Sequence, residues 1–179
     1  AALEFFKCRS ADQWYEEYEG ILSATAFRTS KSFDSVSESV ISWLRQGRIL
    51  ADQISCADWN RENLIAAIPR ARALSRTEHP SDFIPQLQQL FAFCGVALVI
   101  VKTPSKCHAS GAVLSISSMK KMIILSFRYL TDDHFWFSLF HEIGHLVLHD
   151  PQKMFLECEG QVFSDEEDDA NEYSGRILI

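Results

Sequence analysis

The chain has 179 residues, of which 47% are hydrophobic, 12% aromatic and 23% charged, and its formal net charge is -7. This length and composition predict a folded protein with one substantial core. The acidic balance, without a basic stripe, argues against direct nucleic-acid binding by this chain, because duplex binding depends on clustered Lys and Arg.

Two further properties of the sequence bear on its cellular compartment. No apolar stretch reaches the roughly 20 residues that span a bilayer, and no basic region leads a hydrophobic one at the N-terminus, so neither a membrane anchor nor a signal peptide is predicted. The five cysteines are odd in number and form no CxxC pair. Scattered cysteines of this kind are typical of a reducing compartment, and we expect a cytoplasmic protein without membrane contact.

Residues 1–78 are predicted to form a mostly helical N-terminal part. One helical pattern runs from Phe33 to Leu44, and a later helix opens at Asp58 or Asn60. We expect this later helix to bend or end near Pro69, because proline lacks the amide hydrogen that a helix interior needs.

Residues 79–179 are predicted to form a second part, reached through a linker at 75–81. It opens with a helix that starts at Ser81 and stops at Gly95. Three segments then have the composition of strands: 96–101, 111–117 and 122–127. Together with two further helices downstream, they predict an α+β fold with a small three-stranded sheet.

The first of these two helices contains an HExxH motif, His141-Glu142-Ile143-Gly144-His145. Residues four apart lie on one face of a helix, so His141 and His145 can bind the same metal ion, usually zinc. Glu142 lies about 100° round the helix, where it can reach a water molecule on the metal and act as a general base. The helix is expected to start at Thr131 and to end before Pro151. The alternative is a buried helix whose histidines are simply hydrogen-bonded in the core.

Two histidines leave a tetrahedral zinc site one protein ligand short. His149 continues the spacing of four, but it lies about 12 Å along the helix axis from His141, too far to share the same ion. The acidic segment 163–173 predicts a second helix that can supply a carboxylate. Glu166 and Glu167 both point toward its apolar face, and the spacing alone does not choose between them.

The motif and its flanks resemble the ImmA/IrrE family of metallopeptidase domains over roughly residues 80 to 179. The resemblance rests on the run 131–137 leading into HEIGH, on Leu146-Val147-Leu148-His149, and on Glu167-Asp168-Asp169-Ala170-Asn171. In this family the glutamate of the Glu-x-x-Ala-Asn segment is the third zinc ligand, which implies Glu167 here. Tyr173 and Ser174 depart from the Phe-Ala that is commoner in the family.

The order of helix, strands, motif helix and ligand helix resembles zincin-like metallopeptidases. In that class an edge strand beside the motif helix holds an extended substrate. The segment from Ser110 to Ser117 is either that edge or an ordinary strand. The donor for the oxyanion of the reaction stays open among Tyr129, His134 and Tyr173.

The resemblance implies a zinc-dependent endopeptidase that cleaves a specific intracellular protein partner, such as a transcriptional repressor. The alternative is a non-proteolytic regulatory or sensor domain of a helix-turn-helix transcription regulator or antitoxin, with an N-terminal DNA-binding domain missing from this chain. Glu142 favours the enzyme, because a structural zinc site needs no base and usually closes its fourth position with protein. We also expect the connection 150–162, with its short apolar run Met154-Phe155-Leu156, to gate activity by moving Glu167.

Overall fold

The computed structural model describes residues 2–16, 18–19, 37–126, 132–158 and 164–179. Within these residues the fold is α+β, as predicted. The helices are α1 (Ala2–Phe6), α2 (Ser37–Asp52), α3 (Arg61–Leu74), α4 (Pro80–Ala92), α5 (Asp132–Leu148) and α6 (Asp165–Leu178). The strands are β1 (Val96–Ile100), β2 (Ala109–Ser117), β3 (Lys120–Leu125) and β4 (Phe155–Cys158). None of the described helices is both long and apolar enough to cross a membrane.

The strands form one mixed sheet with the order β1-β3-β2-β4. β1 is parallel to β3, whereas β2 is antiparallel to both of its neighbours. The predicted three-stranded sheet is therefore wrong by one strand. The missed strand is β4, whose four residues are too short to show a clear alternation in the sequence. Because β4 pairs with residues 109–113 of β2, this part of the segment Ser110–Ser117 is not a free edge, and the alternative of an ordinary strand applies there.

The sheet separates two apolar clusters, since successive strand residues point to opposite faces. On one side, Ile123 of β3 belongs to a cluster shared with α3, α4 and α5. On the other side, Met122 and Ile124 pack in a cluster with Trp43 of α2. The Trp43 indole Nε1 also donates a hydrogen bond to the carbonyl of Val101 at 2.8 Å. Described helices from residues 1–78 thus cover both faces of the sheet, while the boundary at residue 78 stays a prediction.

Helix α3 ends later in the chain than the sequence predicts. Of the two predicted starting residues, Asn60 caps the helix, with its side chain accepting a hydrogen bond from the Asn63 amide at 2.8 Å. The helix then continues through Pro69 to Leu74, so the predicted end near Pro69 is wrong, while the predicted bend there stays a prediction. Pro69 is exposed, and buried residues on the opposite face, before and after it, hold the helix against the core: Leu64, Ala67 and Ala71. This packing outweighs the cost of the missing hydrogen bond.

Two predicted helix starts, at Phe33 and Thr131, lie outside the described residues. Within the described residues, α2 contains the end of the helical pattern that was predicted from Phe33 to Leu44, and α5 contains the whole HExxH motif. The side chain of Arg61, at the start of α3, donates a hydrogen bond from Nε to the carbonyl of Val147 at 2.7 Å. This bond satisfies one of the carbonyls that a helix leaves open at its C-terminus, and it ties α3 to the end of the motif helix.

Candidate metal centre

The HExxH motif lies in the most buried part of α5. Its neighbours Leu139, Phe140 and Ile143 are fully enclosed in the core. Because this part of the helix is apolar on almost every side, the polar residues of the motif are buried with it, and His141, Glu142 and His145 are each at most 1% exposed. Buried polar groups need partners, so the surroundings of these three side chains define the site.

Three side chains converge on one point. The Nε2 atoms of His141 and His145 are 3.0 Å apart. The Oε2 atom of Glu167 lies 3.1 Å from the first and 3.6 Å from the second. Among the described residues, these three form a group whose ligand atoms all lie within 4.8 Å of one another. The residues predicted as metal ligands are therefore brought together by the fold.

Helix α6 separates the two glutamates that the spacing left open. Ser164 caps the helix and accepts a hydrogen bond from the Glu167 amide at 3.4 Å. Glu167 then points inward to the histidines. Glu166 turns to the surface, where both of its carboxylate oxygens accept from the ammonium group of Lys153, at 2.6 and 2.7 Å.

Each of the two histidines also has a hydrogen-bonding partner at its Nδ1 atom. The Nδ1 atom of His141 lies 3.0 Å from Oδ1 of Asn171. An amide oxygen only accepts, so Nδ1 carries the hydrogen and Nε2 presents its lone pair to the centre. The Nδ1 atom of His145 lies 3.1 Å from Nδ1 of His149, and Nε2 of His149 is 3.6 Å from Oδ2 of Asp169. Asn171 and His149 therefore orient the two imidazoles.

The electrostatics of the group are those of a site that attracts a cation. Burial raises the pKa of the Glu167 carboxyl, but its hydrogen bonds with His141 and His145 outweigh burial and hold that pKa well below its usual range. Burial lowers the pKa of His141, yet the contacts with Glu167 and the nearby charge of Glu157 leave it raised overall. For His145, burial prevails and the pKa is lowered.

The donor set fits a metal ion. Two imidazole nitrogens and one carboxylate oxygen are buried, close together and directed at the same point. Three such acceptors repel one another unless a proton or a cation lies between them. Nitrogen and oxygen ligands of this number suit zinc with one position left for water or substrate.

Glu142 lies against the sheet at Gly111 of β2. It is completely buried, and a Cβ atom at Gly111 of β2 would overlap its Oε1 atom and crowd its Cδ at 3.0 Å. Only a glycine lets the β2 backbone approach this carboxylate so closely. The sequence pattern predicted Gly111 only as the start of a strand, and a glycine in a strand is a known signal of a close backbone approach.

Strand β4, which the sequence analysis missed, contributes a wall of the site. The ring of Phe155 stacks on the His145 imidazole with 4.1 Å between centroids and 11° between planes. The Lys153 ammonium lies 5.4 Å from the centroid of the same Phe155 ring. Thus the connection between α5 and α6 touches His145, one of the three converging residues, directly through Phe155.

The three residues predicted as possible oxyanion donors lie in different surroundings. Tyr129 lies outside the described residues. His134 is exposed near the start of α5, whereas Tyr173 is half-buried, with its ring beside Gly144 in the motif. Burial raises the pKa of Tyr173, although Arg61 partly opposes it. The choice between His134 and Tyr173 stays a prediction.

Two ligand histidines on one helix and a glutamate on the next, packed on an α+β sheet, are typical of metallopeptidase domains. Residues 98–178 match the family model described as the IrrE N-terminal-like domain, of the peptidase family M78. Over these residues the chain is therefore similar to an IrrE N-terminal-like domain, and the predicted resemblance is confirmed. The match contains the HExxH motif and Glu167. No curated protein and no solved structure matched the chain.

Proposed function

We propose that the domain is a zinc-dependent endopeptidase, with His141, His145 and Glu167 as zinc ligands and Glu142 as the general base. The main support is the convergence of the three ligand atoms within 4.8 Å, next to a completely buried Glu142. A zinc ion bound there would polarise a peptide carbonyl and make water a stronger acid.

The residues of this chain then have distinct tasks. A carboxylate oxygen of Glu142 takes a proton from the attacking water and passes it to the nitrogen of the leaving amine. The absence of a side chain at Gly111 of β2 leaves room for the Glu142 carboxylate. Asn171 and His149 hold the imidazoles so that both Nε2 atoms face the centre. Such fixed geometry lowers the cost of reaching the transition state.

The proposed substrate is a specific protein partner in the cytoplasm, such as a transcriptional repressor. The connection between α5 and α6 supports selective rather than general cleavage. It carries Phe155, which stacks on His145. It also carries Lys153, which forms an ion pair with Glu166, the residue next to Glu167. A partner that binds this connection, or the edge of β4 that no other described strand covers, would shift His145 and Glu167. We therefore expect little activity on casein or short peptides.

The proposal is tested with Glu142→Gln, which keeps the size of the side chain and removes its base. Cleavage of a partner should fall by about 10²- to 10⁴-fold, while metal content and melting temperature stay unchanged. Glu78→Gln, at an exposed position, is the matched control. Metal content is measured by elemental analysis, with zinc expected at about one ion per chain.

Two outcomes would contradict the proposal. Undiminished cleavage by Glu142→Gln would exclude Glu142 as the base. A zinc-loaded wild-type protein that cleaves no partner in a screen of the intracellular proteins would favour the regulatory or sensor domain instead.

A further inference from the structure

A groove lined by three arginines lies on the surface away from the metal centre. It runs between the C-terminal half of α3 and the last turn of α6, with a volume of about 690 Å³. Arg72 and Arg76 line one side, and Arg176 lines the other. Apolar side chains, among them Pro69 and Ile177, complete the lining. The groove therefore combines positive charge with an apolar surface in a chain whose net charge is -7.

The guanidinium groups of this groove are available to another molecule. Within the described part of the chain, neither Arg72 nor Arg76 forms an ion pair. Arg176 pairs with Glu172, but these side chains are 76% and 62% exposed. An ion pair so open to water contributes little, so an incoming carboxylate can replace Glu172 at small cost. Arginine binds carboxylates through two parallel hydrogen bonds, which makes carboxylates suitable partners.

We propose that this groove docks an acidic segment of the protein substrate, an inference that rests on the proposed peptidase function. Carboxylates of the segment would pair with the arginines, while its apolar side chains would cover Pro69 and Ile177. A long polyanion such as DNA fits less well, because the first turn of the same helix carries Asp165, Glu166 and Asp168 beside the buried Glu167. These carboxylates would repel a nucleic acid that extended along α6.

The position of the groove suits a docking site separate from the cleaved bond. Glu167 near the start of α6 belongs to the metal centre, and Arg176 lies nine residues later on the same helix. A rise of about 1.5 Å per residue places them roughly 13 Å apart along the axis. A substrate anchored at the groove could thus extend along α6 and bring a second segment to the metal centre. Binding there would raise affinity for the substrate without touching the reacting atoms.

The test measures binding of a fluorescein-labelled peptide rich in Glu and Leu by fluorescence anisotropy. The protein carries Glu142→Gln in every case, so that binding is separated from cleavage. In the added variant Arg72→Glu with Arg76→Glu, the dissociation constant should rise by about tenfold or more. The control Arg70→Glu with Lys102→Glu makes the same change of charge at exposed positions outside the groove. It should bind the peptide nearly as well as the parent, and melting curves should show that both variants are folded.

Several results would overturn the docking proposal. One is a loss of affinity in the control variant equal to that in the groove variant. Another is binding of a peptide with Gln in place of Glu as tightly as the acidic peptide. A third is Arg72-dependent binding of a DNA oligonucleotide that is tighter than binding of the acidic peptide. Once a cleaved partner is known, the groove variant on the active protein should raise KM and leave kcat unchanged. An unchanged KM would exclude docking while leaving the peptidase intact. Peptide binding that depends on Arg72 and Arg76 in a protein that cleaves nothing would instead contradict the peptidase.

Discussion

Helices α5 and α6 both contribute to the metal centre, but they are buried to very different extents. In α5, every residue from Leu139 to Val147 is buried. In α6, the buried residues form one narrow stripe, namely Glu167, Ala170 and Ser174. The histidines of α5 are therefore fixed by packing from all sides. Glu167 owes its place to a single helical face, which is set by how α6 lies against α5.

The contact between the two helices explains this difference. A Cβ atom added to Gly144 of α5 would be 3.2 Å from the Cα atom of Ala170 in α6. The two helices thus approach closely at this point, because Gly144 has no side chain and Ala170 has a small one. At the far side of the same crossing, the hydroxyl group of Ser174 donates a hydrogen bond to the carbonyl of Phe137 at 2.9 Å. Small residues on both helices determine where Glu167 and Asn171 meet the histidines.

The largest expected effect comes from removing the ligand of α6. Glu167→Ala should lose most of the bound metal and all activity, because two histidines alone form an incomplete site. Glu166→Ala is the matched control, since it removes a neighbouring carboxylate that pairs with Lys153 at the surface. It should retain its metal, with a stability change of about 1 kcal/mol or less. Elemental analysis of both proteins checks the prediction, and metal loss from Glu166→Ala alone would reverse the assignment.

A smaller effect is expected from the residue of α6 that orients His141. Asn171→Ala should weaken metal binding by about 10- to 100-fold, because the His141 imidazole loses the acceptor for its Nδ1 hydrogen. Asn171→Asp keeps an acceptor and should restore most of the affinity. Asn63→Ala, on the exposed start of α3, serves as the control. Competition with a chelator measures the affinities, and equal loss in the Ala and Asp variants would contradict the orienting role.

The helix crossing itself can be tested by comparing two glycines. Gly144→Ala should cost about 1–3 kcal/mol of unfolding free energy and weaken metal binding several-fold, because the added methyl group pushes α6 away. A Cβ atom at Gly175, in α6, meets no atom within 4 Å. Gly175→Ala should therefore stabilise the protein by up to about 1 kcal/mol, through helix propensity. Chemical denaturation measures both changes, and effects of the same sign would contradict the close crossing.

The smallest expected effect is a shift in the pH dependence of metal binding. A protonated imidazole cannot bind a metal ion, and the surroundings of His141 raise its pKa above the usual value of 6.5. Metal affinity should therefore begin to fall at a pH above 6.5 as the solution is acidified. The hydrogen bond with Asn171 is one cause of the raised pKa. In Asn171→Ala the fall should accordingly begin at lower pH, and a shift in the opposite direction would contradict this assignment.

The amino-acid sequence alone determined the parts of the site that depend on local periodicity. The spacing of His141 and His145 requires a helix for joint binding, and an apolar pattern around them predicted that helix. The α+β class and the positions of β1, β2 and β3 followed from the change between helical and strand periods. These features depend on residues only a few positions apart, which is why the sequence predicts them without a three-dimensional structure.

The tertiary structure decided the features that depend on distant partners. His141 meets Glu167 and Asn171 across 26 and 30 residues, and the crossing of α5 and α6 turns Glu167 rather than Glu166 toward it, as the family resemblance implied. The short strand β4 exists because it pairs with β2, and α3 continues past Pro69 because its opposite face is buried. In each case the energy of packing or pairing outweighs a weak local preference, and the sequence pattern records only that local preference.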